Sequence, residues 1–191
     1  MGRGIFRLEM DKSKQLQKIA REIESCKICH ERTSGKSVPG EGDPDARVIF
    51  IGEAPGREEA KTGRPFIGRS GQLLRRLIRE AGFSEADVFI TSPVKYLPDR
   101  GTPDQVQIAH GRKHLHQQLA VINPKIIVLL GRVACLGVLE LSVPILKDHG
   151  KILAKDGRKY LVTLHPAAVI RFPKYLPLIQ ADFRKFKSML V

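Results

Sequence analysis

Tryptophan is absent from this 191-residue chain, and tyrosine and cysteine occur only three times each. Three cysteines cannot close a paired disulfide framework, and two of them form Cys26-x-x-Cys29, so a reducing compartment is expected. No apolar run approaches the roughly 20 residues that cross a bilayer, which excludes a helical membrane span. The first residues are basic, but Asp11 to Glu24 is polar where a secretory signal would carry its apolar core, so the expected location is cytoplasmic, in association with the nucleoid. At this length the expectation is one compact domain over 1–191, its first ten residues flexible. Acidic residues are also scarce: 20 Asp and Glu stand against 33 Lys and Arg, for a net charge of +13. That excess points to an anionic partner, nucleic acid first, because clustered cations replace the counterions condensed on phosphates. No strongly basic helix with a broad aromatic face marks a membrane-surface binder.

Leu16, Ile19, Ala20 and Ile23 fall at helical spacing, predicting an amphipathic helix over 11–25 and a loop over 33–45. The run Arg47-Val48-Ile49-Phe50-Ile51 is β-branched and aromatic and stops at Gly52, as a strand buried on both faces would. The alternation then repeats: helix 71–81, strand 88–91, helix 104–121, strand 125–130, short helix 131–140, strand 160–164 and a last helix 176–189. Apolar strands alternating with helices predict a three-layer α/β/α domain around a mainly parallel four-stranded sheet. Ligands of such sheets bind beyond the carboxyl ends of the strands, which directs attention to 52–70, 92–103 and 164–172.

Two of these segments carry chemistry. The first runs Gly52-Glu53-Ala54-Pro55-Gly56-Arg57-Glu58-Glu59 and continues through Arg64-Pro65-Phe66-Ile67-Gly68-Arg69. Its glycines allow close backbone approach to a ligand, and Glu53 and Glu59 beside a cleft can orient or activate water. It is not a P-loop, since no glycine precedes Lys61 and the spacing is one residue short, and no Gly-x-Gly-x-x-Gly follows the strand. The second is Leu164-His165-Pro166-Ala167-Ala168-Val169-Ile170-Arg171. A histidine at a strand end can stabilise a developing anion.

Together these segments resemble the uracil-DNA glycosylase superfamily, in particular its thermostable iron-sulfur type, family 4. The likeness extends from the Cys26-x-x-Cys29 region to the final helix. It implies a hydrolase of N-glycosyl bonds that flips a deaminated base, uracil first, out of DNA and excises it, initiating base excision repair as a monomer. It implies that Gly52, Ala54, Phe66 and Ser92 surround the base, with Phe66 stacked on it. Glu53 and Glu59 then place water, and His165 bonds the base oxygen that becomes negative. Pro166, Ala167 and Ala168, in a loop ending at Arg171, press into the minor groove, while Arg64, Arg69, Lys95, Arg100 and Arg171 contact phosphates.

Two positions depart from the family. Ser92 stands where relatives carry a uracil-reading asparagine, which leaves hypoxanthine or xanthine open as the preferred base; a hydroxyl offers one donor. Relatives hold a four-iron cluster on four cysteines, but here only Cys26 and Cys29 match. The third position falls on Tyr96 and the fourth on or beside Gly111, next to His110. A four-thiolate cluster is therefore not expected, and the chemistry needs no cofactor. The cysteine pair remains open as a relic, a redox pair, or a weak metal site with His30 or His110; Cys135 reads as core. Two rival functions also stand. One is a catalytically weak protein binding single-stranded or damaged DNA; the other is a glycosylase whose His165 loop traps the abasic sugar covalently.

Overall fold

The computed structural model describes residues 11–189, so the expectation for residues 1–10 lies outside the described residues. The elements in chain order are α1 (Lys12–Ser25), α2 (Lys27–His30), β1 (Thr33–Ser34), β2 (Glu41–Gly42), β3 (Val48–Ile51), α3 (Arg57–Thr62), α4 (Arg69–Glu80) and β4 (Val88–Thr91). Then follow β5 (Leu97–Pro98), α5 (Gln105–Ile122), β6 (Ile126–Leu130), α6 (Arg132–Leu139), α7 (Ile145–Asp148), β7 (Ile152–Lys155), β8 (Arg158–Thr163), α8 (Pro166–Arg171) and α9 (Leu176–Ser188). Short 3₁₀ turns precede β4 and α9.

The central sheet has six strands in the order β2-β4-β3-β6-β8-β7, and a separate two-stranded ribbon pairs β1 with β5. The expected parallel four are its middle: β4, β3, β6 and β8 run parallel. The expectation of four strands is corrected by two antiparallel edges, β2 on β4 and β7 on β8. The β7–β8 turn is Asp156-Gly157, with φ 51° and 72°, positive at both central residues as a tight hairpin of this twist requires. All four β7 residues are exposed, although three of them, Ile152, Leu153 and Ala154, are apolar.

Side-chain alternation divides the apolar strands between two layers. Val48 and Phe50 face Leu74, Leu77, Phe183 and Phe186 of α4 and α9, whereas Ile49 and Ile51 face Leu115, Leu119 and Ile122 of α5 and Ala134 and Cys135 of α6. Each large side chain so buried contributes roughly 1.5–3 kcal/mol. α5 opens on a reciprocal cap in which the Asp104 carboxylate accepts from Gln107 N and the Gln107 amide oxygen accepts from Asp104 N. α1 lays Ile19 and Ile23 against Tyr96, bringing the segment that contains Cys26 to the flank of α5. The loops after β3, β4 and β8 thus meet at one end of the sheet.

Candidate active site

A cavity of about 330 Å³ opens at that end, lined by Glu53, Ala54, Glu59, Phe66, Ser92, His165 and Ala167 from the three predicted segments. Leu97 and Arg57, from the same segments, and Val38, from a loop the sequence did not single out, also line it.

His165 is the N-cap of α8. Pro166 follows as the first helical residue, where its missing N–H is no loss, and the His165 Nδ1 accepts from Ala167 N at 3.1 Å. An Nδ1 that accepts carries no proton, so the neutral ring bears its hydrogen on Nε2. That Nε2 is shielded from solvent and finds no hydrogen-bond partner among the described residues. Burial pushes the imidazole pKa from 6.5 down to about 4. The result is a neutral, preorganised N–H donor at the cavity wall. The segment 166–171, expected as a loop, is therefore a short helix, with Ile170 and Phe172 38% and 44% exposed at its far end.

The Phe66 ring lies 5.8 Å from the His165 ring, centroid to centroid, at 33°. Phe66 has φ 52°, a left-handed conformation that costs a bulky residue about 1–3 kcal/mol. Arg75 holds it there: Nε donates to Phe66 O at 3.0 Å and Nη2 to Pro65 O at 3.1 Å, while Nη1 is anchored on Glu85 Oε2 at 2.5 Å. The sequence gives no local sign of this role, because Arg75 acts from the next helix. Gly52 lies beneath the ring, and a Cβ on it would sit 2.5 Å from Phe66 Cζ.

The two carboxylates differ. Glu59 is buried, and its Oε1 accepts from Ile67 N at 3.0 Å and Gly68 N at 2.9 Å, tying α3 to the Phe66 turn. Glu53 is half-buried, and burial raises its carboxyl pKa against the opposing pull of Arg132. Ser92 is buried and donates to Val94 O at 2.7 Å, leaving only acceptor capacity for a ligand.

One expected phosphate contact is corrected. Lys95 is 1% exposed, and its ammonium donates to Thr91 Oγ1 and Gln118 Oε1, both at 2.7 Å. Buried there it cannot reach DNA from the surface, and the same burial lowers its pKa to about 7. Arg64 is exposed but forms a two-bond pair with Glu41 at 2.7 and 2.8 Å. Arg69, Arg100 and Arg171 are exposed; Pro166 is buried and Ala168 half-buried. Arg69, Arg76 and Arg79 line a groove between α4 and α8 beside Ile170. Positive charge is not confined to this end, however, since Arg47, Lys125 and Lys159 line a hollow at the amino ends of the strands.

The uracil DNA glycosylase superfamily model matches residues 39–190, which include every cavity-lining segment after Val38. The chain belongs to the uracil DNA glycosylase superfamily. It is 38% identical to a type-4 uracil-DNA glycosylase of Sulfurisphaera tokodaii, over 92% of this chain and 85% of that protein. Type-4 uracil-DNA glycosylases of Archaeoglobus fulgidus and Thermotoga maritima are 36% and 35% identical, over 91% and 90% of this chain and 92% and 93% of theirs. Among the described residues, no helix is long and apolar enough to cross a membrane.

The residues do not fit the four-cysteine cluster of the family-4 likeness. Tyr96 is buried, and its hydroxyl lies 3.0 Å from His30 Nε2 and within 3.5 Å of the Ile23 and Glu24 carbonyls. At Gly111 a Cβ would meet Pro93 O at 2.1 Å, so no thiol fits on that backbone. What surrounds Cys26 and Cys29 is instead His110 and His114, one turn apart on α5, and the four side chains offer ligand atoms within 4.8 Å of one another. His30, an alternative in the sequence, turns to Glu24 O and Tyr96. His114 was hidden among the basic residues of 110–116; its spacing from His110 is the signal that could have found it.

Proposed function

We propose that this superfamily member is a monomeric, single-domain uracil-DNA glycosylase that works on DNA in the cytoplasm, with no cofactor in the chemical step. One observation carries the reading: the His165 Nε2–H, without a hydrogen-bond partner among the described residues, stands at the wall of a cavity shared with Phe66. A base entering that cavity stacks on Phe66, and its carbonyl oxygen accepts from Nε2. Flipping costs a few kcal/mol, and phosphate contacts of exposed arginines such as Arg69 and Arg171 oppose that cost.

As the C1′–N1 bond breaks, its electron pair moves onto the pyrimidine, and charge grows on the oxygen facing His165. A neutral donor in a site shielded from water favours that anion without reorganising. Water adds to C1′ from the side of Glu53, whose carboxylate accepts the released proton. Glu59 acts by fixing the turn that carries Phe66. Ile170 and Phe172, at the end of α8, are the apolar groups available to fill the gap left in the duplex.

Ser92 favours a second substrate. An acceptor-only hydroxyl suits the ring N–H of uracil and that of hypoxanthine equally, whereas an asparagine would also donate to the uracil carbonyl. The test is an oligonucleotide panel carrying uracil, hypoxanthine or xanthine, scored by strand scission after alkali. Uracil release is expected to be fastest. Faster hypoxanthine release reassigns the substrate, binding without scission reduces the protein to a DNA binder, and a shifted band that survives denaturant shows covalent trapping.

A further inference from the structure

Outside the catalytic cavity, the thiols and imidazoles between α2 and α5 form a second constellation. Cys26 Sγ lies 3.1 Å from His110 Nε2, and the His110 and His114 rings stand edge to face at 5.6 Å. Cys26, Cys29 and His110 are half-buried and His114 is 5% exposed. His114 Nε2 is buried and has no hydrogen-bond partner among the described residues. Its Nδ1 lies 3.3 Å from Gln117 Oε1, an oxygen that can only accept, so the proton is on Nδ1 and the Nε2 lone pair is free. Gln117 is oriented in turn by donating from Nε2 to Glu22 Oε2 at 3.3 Å. A histidine held by an outer partner so that its other nitrogen is bare is the arrangement that metal ligands adopt.

We propose that Cys26, Cys29, His110 and His114 bind one zinc ion, in the place where relatives of the family-4 type carry an iron-sulfur cluster. The spacing, Cys-x-x-Cys followed by His-x-x-x-His, is that of structural zinc sites with two thiolates and two imidazoles. Bond lengths of about 2.3 Å to sulfur and 2.0–2.1 Å to nitrogen put tetrahedral ligand atoms about 3.3–3.8 Å apart. The four ligand atoms already lie within 4.8 Å of one another, so the site closes by shifts of about 1 Å. A two-iron cluster with mixed ligands does not fit, because ligands on its two irons stand farther apart than the 4.8 Å within which all four ligand atoms lie here. Four protein ligands leave no open position, so the ion is structural. It clamps the α1–α2 segment onto α5.

The test uses the full chain, purified without a metal-chelating tag. Elemental analysis is expected to find one zinc per chain, without matching iron and acid-labile sulfide. After chelation, titration with Co²⁺ alone should give the visible bands of tetrahedral cobalt and a thiolate charge-transfer band, saturating at one equivalent and bleached by Zn²⁺. Cys29→Ala and His114→Ala should abolish the bands, and Gln117→Ala should weaken zinc binding about 10–100-fold. Should the ligand variants misfold, alkylation of the wild-type protein decides: zinc should protect Cys26 and Cys29 and leave the reactivity of Cys135 unchanged. Bound iron with sulfide, octahedral cobalt spectra, or alkylation of both thiols at equal rates with and without zinc would each overturn the proposal.

Discussion

Replacing His165 by asparagine separates the two tasks that its ring performs. Nδ1 caps α8 through Ala167 N, and Nε2 is the donor proposed to face the leaving base. Alanine would remove both, at a cap cost of about 1 kcal/mol. The asparagine Oδ1 can still accept from Ala167 N, but its shorter side chain has no group where Nε2 stands. Loss of one preorganised donor to a developing anion costs about 10²–10³ in rate, or about 2.7–4 kcal/mol of transition-state stabilisation. Single-turnover excision from a uracil oligonucleotide should therefore fall at least about 100-fold, with little change in DNA binding. The same ring makes a pH prediction. Its folded-state pKa of about 4 lies below the ordinary 6.5, so between those values the unfolded chain binds the proton and the native one does not. The stability this group contributes above pH 6.5 is lost as pH falls to 4, by up to about 3 kcal/mol, and His165→Asn removes that dependence. Denaturant melts of both proteins from pH 7.5 to 4.5 test it. An asparagine variant within threefold of wild-type excision, or parallel stability curves, would refute the reasoning.

Gly52→Ala should drive a methyl into the Phe66 ring, destabilising the fold by about 1–3 kcal/mol and slowing excision up to about 100-fold; urea melts and single-turnover rates measure the two effects separately. Ser92→Asn should increase the ratio of uracil to hypoxanthine excision, because it restores a donor beside the acceptor; an unchanged ratio in competition assays would place base reading elsewhere. Lys95→Met should leave the affinity for uracil-containing DNA unchanged in anisotropy titrations. Because the folded-state pKa of Lys95 is lowered to about 7, the wild type should gain stability as pH rises from 7 towards 10.5 and the variant should not.

The sheet was legible because its middle strands are buried on both faces. Val48–Ile51 and Ile126–Leu130 are continuous apolar runs, and their ends at Gly52 and Gly131 show where the site lies. β7 was legible only as a short apolar run, Ile152-Leu153-Ala154, followed by Asp156-Gly157, a pair suited to a hairpin turn; its exposure at the sheet edge leaves no burial pattern to extend that signal. α8 was announced by Pro166, which cannot continue a ladder but can open a helix, and reading the segment as a loop overlooked that.

Side-chain placement was harder, and Lys95 shows why. A lysine in a loop of a basic protein reads as a phosphate contact, because residue type alone favours exposure. The backbone of 93–97 instead runs beneath residues 36–39, where Val38 N bonds Lys95 O at 2.7 Å, and turns the side chain inward onto Thr91 and Gln118. Burial then lowers its pKa through the same desolvation that lowers that of His165, but with the opposite relation to function. A histidine held neutral keeps its N–H and donates to a carbonyl oxygen, whereas a lysine held near neutrality gives up the full charge that phosphate binding requires. Desolvation therefore suits His165 to the donor role proposed for it and unfits Lys95 for the phosphate contact its residue type suggests. Which outcome follows depends on the chain packed over each group, and residues 36–39, which cover Lys95, lie more than 50 residues away from it in sequence.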